Sequence, residues 1–318
     1  MDFLIEENNL TAHYFYRSGE GLCRSYARGS SWQERECILR SAEGCFGLYT
    51  DGQKVHIVAP TADGELIYLT VSGSERRRFI LKKLGDDRNI LKLHIYPIRG
   101  RLNMLYTVAL GGEILLMHCI LGNNAMPHTV SRVRTPEFFV YANRVYYAVP
   151  DGSAGFSELA DEKPELYIRT ASNCSVPYLC DGHIAYESGG KIYFDSRELC
   201  SDAEAQGVII TEYDGRFFVA WQSGDFVKYI PADSTAGNAH CIINPSRRAQ
   251  LYAIWRAGVC DYFYGSHSDS ELVTYINPAP FGSHASPATD HLRRRLEEMK
   301  IEIAELKKQL AEYNCRRA

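Results

Sequence analysis

The stretch Tyr49-Thr-Asp-Gly-Gln-Lys-Val-His-Ile-Val58 has two close counterparts, Leu179-Cys-Asp-Gly-His-Ile-Ala-Tyr186 and Tyr213-Asp-Gly-Arg-Phe-Phe-Val-Ala-Trp221. In each, Asp-Gly stands just before a run of β-branched and aromatic residues. Glycine reaches the positive φ that a tight turn needs, and aspartate bonds the backbone two residues on, so the dipeptide announces a hairpin. Less regular copies lie at Leu10 to Ser18, Gly100 to Leu110, Asn143 to Pro150 and Gln250 to Arg256.

A second ruler comes from the glycine that follows the first strand of each copy: Gly21, Gly64, Gly112, Gly155, Gly190, Gly224 and Gly258. Successive spacings are 43, 48, 43, 35, 34 and 34 residues, a mean of about 40, the period of propeller blades. The strands after these glycines, Glu65 to Val71, Glu113 to Leu121, Lys191 to Asp195, Phe226 to Ile230 and Val259 to Tyr264, are largely continuous apolar runs. Such runs fit strands covered on both faces.

Through this repeated unit, residues 1–276 resemble β-propeller proteins at the level of architecture. The Trp-Asp signature of WD repeats and the double glycine of kelch repeats are absent, and no specific family is recognised. The expected fold is all-β, an approximately seven-bladed β-propeller followed by a C-terminal α-helical coiled coil. The tight spacing near 34 residues predicts three strands rather than four in the fifth and sixth units. Phe3-Leu4-Ile5 is expected to pair beside the C-terminal repeat and close the ring. A β-sandwich is the competing all-β reading.

Composition narrows the class. The 318 residues carry Lys+Arg 35 against Asp+Glu 39, for a net charge of −4, which gives no global basic field for nucleic acid. No apolar run is long enough to span a membrane as a helix. The start, MDFLIEENN, has acids where an export leader would be basic, so the expectation is a cytoplasmic protein with reduced thiols. The 10 cysteines include no C-x-x-C pair and read mostly as small core residues.

After Asn277 the composition changes. Residues 277–288, Asn-Pro-Ala-Pro-Phe-Gly-Ser-His-Ala-Ser-Pro-Ala, form a linker that suits neither helix nor sheet. Residues 289–315 then read as a coiled-coil helix capped by Thr289 or Asp290. Leu292, Leu296, Met299, Ile303, Leu306, Leu310 and Tyr313 follow at spacings of 4, 3, 4, 3, 4 and 3, an unbroken heptad seam that predicts oligomerisation.

Catalytic constellations are missing. There is no phosphate loop, dinucleotide turn, serine elbow or H-E-x-x-H zinc helix, and the S-x-D-x-G-x-T-W boxes of sialidases are also absent. No catalytic residue, metal ligand or cofactor is predicted. His118-Cys119 and His240-Cys241 lie in or beside apolar runs and read as structural. Asp51, Asp181 and Asp214 recur at equivalent turns and are the candidate ligand-binding carboxylates, although a hairpin turn selects aspartate by itself. Tyrosine is abundant, 21 residues, and serves inter-blade packing, protein contacts or stacking on sugar rings.

Two functions follow as expectations. The first is a non-enzymatic interaction scaffold, with the propeller as platform for protein partners and the coiled coil joining copies into a homo-oligomer. The alternative is a carbohydrate-binding or glycan-processing propeller, using aromatics and turn carboxylates at its mouth.

Overall fold

The computed structural model describes residues 2–274, except 7–10, 29–30, 33–34, 85–88, 123–125, 142, 160–164, 169–173, 214–215, 235–238, 244–249, 257–258 and 269–270. The described chain is built from strands and contains no helix, and so none long and apolar enough to cross a membrane. The linker at 277–288 and the heptad residues of 289–315 lie outside the described residues.

The strands open with β1 (Asp2–Glu6), β2 (Thr11–Ser18), β3 (Gly21–Arg28), β4 (Ser31–Trp32) and β5 (Glu36–Leu39). A four-stranded antiparallel sheet follows, with β6 (Gly47–Thr50), β7 (Val55–Pro60), β8 (Glu65–Ser72) and β9 (Glu75–Lys83) side by side in chain order. The next has β10 (Ile90–Ile98), β11 (Arg101–Leu110), β12 (Glu113–Ile120) and β13 (His128–Val133). A third is β14 (Phe138–Tyr141), β15 (Arg144–Ala148), β16 (Ala154–Glu158) and β17 (Glu165–Ile168). The fourth contains β18 (Tyr178–Cys180), β19 (His183–Ser188), β20 (Lys191–Phe194) and β21 (Arg197–Ser201). The fifth contains β22 (Ala205–Tyr213), β23 (Arg216–Ser223), β24 (Phe226–Pro231) and β25 (His240–Ile243). The chain returns as β26 (Gln250–Arg256), β27 (Val259–Ser268) and β28 (Glu271–Thr274).

These last three strands join the first five in one eight-stranded sheet, ordered β28-β27-β26-β1-β2-β3-β4 with β5 also on β3. The seam is a parallel pairing of β1 with β26, Phe3 opposite Ala253 and Leu4 opposite Ile254. Phe3-Leu4-Ile5 thus closes the ring, as the sequence predicts. The same seam corrects the blade count from about seven to six. Seven glycine-marked hairpins exist, but the first (β2 and β3) and the last (β26 and β27) share a sheet.

Two further expectations are revised. The fifth and sixth units hold four strands each, because β18 to β21 are only three to six residues long and are joined by tight turns. Gly155 lies inside β16 rather than in a turn; a Cβ there would meet the Tyr147 ring at 3.6 Å, an ordinary packing contact.

Burial falls from the hub outward. Most of β10 is buried on both faces, whereas β9 is exposed at every position. The first strands stand side by side, β6 against β10, β14 against β18, and β18 against β22. At Gly47 the approach of β6 to β10 is so close that a Cβ would lie 2.2 Å from Leu93 Cδ2 and 3.0 Å from the His94 Cα. The wide sheet fills the hub. The Phe3 ring lies 5.1 Å from Phe46 and 5.2 Å from His94, and Trp255 donates from Nε1 to the Leu48 carbonyl at 2.8 Å.

Candidate functional site

Each first strand ends in the turn that leads into the second strand. At the rim of these turns a cleft of about 460 Å³ opens over the hub. It collects the ends of β10 (Tyr96, Pro97, Ile98), β14 (Phe139, Val140, Tyr141) and β18 (Tyr178, Leu179, Cys180), with Asn143, Asp181 and Glu212 from neighbouring turns and β22. Trp255 of β26 and Cys260, Asp261 and Tyr262 of β27 complete it. Strands from five of the six sheets do not usually converge by accident of local sequence; here the radial arrangement of first strands brings them together.

The floor is aromatic and held from several sides. The Tyr262 ring lies 4.8 Å from Phe139 and 5.8 Å from Tyr178, both edge-to-face, the geometry that the ring quadrupoles favour. Its hydroxyl is 2.6 Å from that of Tyr96, and Tyr96 in turn packs 5.8 Å from Trp255. Burial holds the Tyr96, Tyr178 and Tyr262 phenols far above the usual tyrosine range; for Tyr178 the neighbouring Asp261 adds to it. These hydroxyls therefore stay protonated and keep a proton to donate.

Polar groups occupy the rim. Asp181 and Gly182 both have positive φ, +50° and +84°, as a two-residue hairpin turn requires. The Gly182 N–H donates to the Tyr141 hydroxyl at 3.3 Å, tying the β18–β19 turn to the end of β14. Asp181, Glu212 and Asn143 are exposed, and Tyr141 and Asp261 half-buried.

The three turn aspartates do not share one position. Asp181 lines the cleft. Asp51 is not among the lining residues; its Oδ1 accepts from the Gln53 and Lys54 amides at 2.9 and 2.7 Å, and its Oδ2 is 3.3 Å from His56 Nε2. Partial burial works against its charged form, but these bonds outweigh it and hold Asp51 below the usual carboxylate range. Asp214 lies outside the described residues. The sequence reading missed Glu212 and Asp261, which no turn motif announces. It also passed over Phe139, Tyr141, Tyr178, Trp255 and Tyr262 as cleft residues; their only signal was position at the end of a first strand or within the last hairpin.

His118 is buried and bonds within its own sheet. Asn103 donates from Nδ2 to the carbonyls of Ile98 and Arg101, which turns its Oδ1 towards His118 Nε2 at 2.8 Å. The other ring nitrogen of His118 is 3.3 Å from His128 Nε2. The described side chain of Cys119 is partly buried, and the His240 side chain lies outside what is described. Among the described residues no group of three or more His, Cys, Asp or Glu is arranged to hold a metal ion.

No protein-family model and no curated protein matches the chain. Solved structures do. A lectin of Aleuria aurantia in complex with alpha-methyl-L-fucoside superposes with a TM-score of 0.52 at 11% identity, over 87% of this chain and 91% of that one. The same lectin with Fucalpha1-6GlcNAc gives 0.52 at 12% identity, over 87% and 92%. At this identity the likeness is one of fold, and it places the chain among β-propellers of six sheets.

Proposed function

We propose that the chain is a carbohydrate-binding propeller and that the rim cleft is its sugar site. The observation that carries this reading is the composition of the cleft: an aromatic floor at the hub, ringed by Tyr141, Asn143, Asp181, Glu212 and Asp261. A saccharide ring has one face of C–H groups and a periphery of hydroxyls. Aromatic side chains accept the first, and carboxylate, amide and phenol groups bond the second. A volume of about 460 Å³ lies in the range that small ligands occupy. That the superposed structures are of a lectin bound to fucosides supports the same choice. This reading replaces the protein-interaction platform as the leading one.

The heptad segment keeps a role in it. Leu292, Leu296, Met299, Ile303, Leu306, Leu310 and Tyr313 join copies of the chain, so that several weak sugar sites act on one glycan-bearing surface. Linkage of that kind raises effective concentration without any new contact.

The direct test is a glycan array probed with the full chain, followed by calorimetric titration of the best ligand. Binding that Tyr141→Ala abolishes, in a variant with an unchanged far-ultraviolet circular dichroism spectrum, supports the reading. A chain that retains no glycan on the array, and instead binds proteins through the same rim, would return the scaffold function to first place.

A further inference from the structure

Cys23 of β3 and Cys37 of β5 stand directly opposite one another in an antiparallel pairing, with Leu22 opposite Leu39 and Arg24 opposite Glu36 on either side. The Arg24–Glu36 ion pair, at 2.6 Å, holds that register from the adjacent position. Both thiols lie on one face, since Cys23 belongs to the buried cluster of Leu4, Tyr14, Tyr16 and Tyr252, and Cys37 packs against the same cluster. Directly opposed residues of an antiparallel pair have Cα atoms about 4.5–5.5 Å apart, inside the range of about 4.4–6.8 Å that a disulfide spans. Among the described residues no other cysteine faces a cysteine across a strand pairing. Both are free thiols.

The two thiols differ in access. Cys23 is fully buried, whereas Cys37 is half-buried beside the Glu20 carbonyl, 3.4 Å from its Sγ. Burial, with Cys23 next to it, pushes the Cys37 thiol above its ordinary range. Arg35 reaches Cys23, and that bond is the main reason why its guanidinium is raised above its own ordinary range. Arg35 also donates to Ser18 Oγ, which lies 3.1 Å from Cys23 Sγ. The same strand joins two sheets: Glu36 pairs with Arg76 of β9, and Arg76 Nη1 donates to the Cys37 carbonyl at 3.5 Å.

We propose that Cys23 and Cys37 are a redox-reversible staple, closed by a low-molecular-weight disulfide such as oxidised glutathione, which fastens β5 to β3 in the closing sheet. Cys37, the accessible thiol, gives its proton to water, attacks one sulfur of the reagent and expels one glutathione thiolate. Cys23 then loses its proton, attacks the Cys37 sulfur of the mixed disulfide and expels the second thiolate. Two protein thiols are oxidised to one disulfide, and the reagent is reduced to two thiols that take up the released protons. The Arg35 cation stabilises the negative charge that develops on Cys23 during the second step.

The experiment is incubation of the full chain in buffers of reduced and oxidised glutathione, followed by alkylation and peptide mapping by mass spectrometry. The expected product is a Cys23–Cys37 bridge, lighter than the reduced pair by two hydrogens and reopened by dithiothreitol. The bridged chain should melt at least about 2 °C higher than the reduced one. Cys23→Ala should stop at a glutathione adduct on Cys37, and Cys37→Ser should leave Cys23 unmodified, so either variant serves if the other does not fold. Arg35→Gln should slow closure at least about fivefold, and Arg35→Lys should restore most of the rate.

Two thiols that stay reduced, or a native chain that stops at the Cys37 adduct, would overturn the proposal. So would a bridge from either cysteine to a different partner. A bridge that leaves the melting midpoint unchanged would overturn its action as a staple, and an unchanged rate in Arg35→Gln would overturn the part given to Arg35.

Discussion

The hydroxyls of Tyr96 and Tyr262 lie 2.6 Å apart across 166 residues of chain. Tyr96 belongs to β10 and Tyr262 to β27, so the bond fastens the closing sheet to the hub. Both side chains are nearly fully buried, at 5% and 3% exposure. Tyr262→Phe keeps the ring contacts with Phe139 and Tyr178 and removes one hydroxyl. It is expected to lower stability by about 1–2 kcal/mol, because the Tyr96 hydroxyl loses a buried partner. Urea denaturation checks the value; a change within about 0.3 kcal/mol, the noise of such a comparison, would mean that the bond contributes nothing net.

Closure at Tyr264 depends on a glycine. The Tyr264 hydroxyl lies 2.6 Å from the Gly207 carbonyl and 3.0 Å from that of Gln206, and accepts from the Gln222 amide at 3.2 Å. Gly207 has φ of +62°, and a Cβ there would lie 2.5 Å from the same hydroxyl. Gly207→Ala therefore combines a left-handed backbone with a clash. The expected loss is about 2 kcal/mol or more. Pairing it with Tyr264→Phe, which relieves the clash, should cost less than the sum of the two single changes, and a double-mutant cycle measures the difference.

How much of this was legible beforehand depended on the range of the signal. The Asp-Gly turns and the glycine spacing are local, and they located the hairpins and the period. Phe3-Leu4-Ile5 was placed beside the last repeat from strand character alone. The merger of the first and last hairpins was not legible, since nothing in residues 2–6 distinguishes a strand that completes a blade from one that joins two. The cleft was legible only at Asp181, where turn chemistry and site coincide. Glu212 and Asp261 sit within ordinary strands, and they meet Tyr141 and Trp255 only because first strands and the final hairpin converge at one rim.

Acid should weaken the fold through buried histidines. Burial, with some repulsion from His128, pushes His118 down to about 4, and burial with Lys92 nearby pushes His94 far below the usual range. Both are neutral in the folded state, whereas the unfolded chain takes up protons below about pH 6.5. The unfolded state thus binds more protons as pH falls through that value, and stability falls with it. The window for His118 runs from about 6.5 down to about 4, and its share at pH 5 is about 2 kcal/mol. Unfolding free energies at pH 7 and pH 5 test this, and His118→Gln should flatten the slope.

Lys92 and Glu137 should respond unequally to substitution. The Lys92 ammonium is buried at 6% exposure, 2.5 Å from Glu137 and 3.1 Å from the Phe138 carbonyl, whereas the Glu137 side chain is 49% exposed. It also lies 5.1 Å from the ring centres of Phe138 and Phe139, so it supports the wall of the cleft from behind. Glu137→Ala strands a buried cation and is expected to cost about 3 kcal/mol. Lys92→Met leaves a carboxylate that can turn to water, and should cost about 1 kcal/mol. Chemical denaturation of both variants reads the asymmetry, and equal losses would mean that Glu137 is as poorly solvated as its partner.

The heptad segment makes a prediction about mass. Its seam presents Leu296, Ile303 and Leu310 at one core position and Leu292, Met299, Leu306 and Tyr313 at the other. A helix of three heptads is marginal alone and gains its stability by burying that stripe. Light scattering on the full chain should therefore give a dimer or larger, and on a chain ending at Pro278 a monomer. The truncated chain should keep its affinity for a soluble monosaccharide and lose retention on a dense glycan surface, because only the second depends on several sites acting together. A full chain that is monomeric would remove self-association and with it the avidity argument, while the cleft and its sugar chemistry would be tested as before.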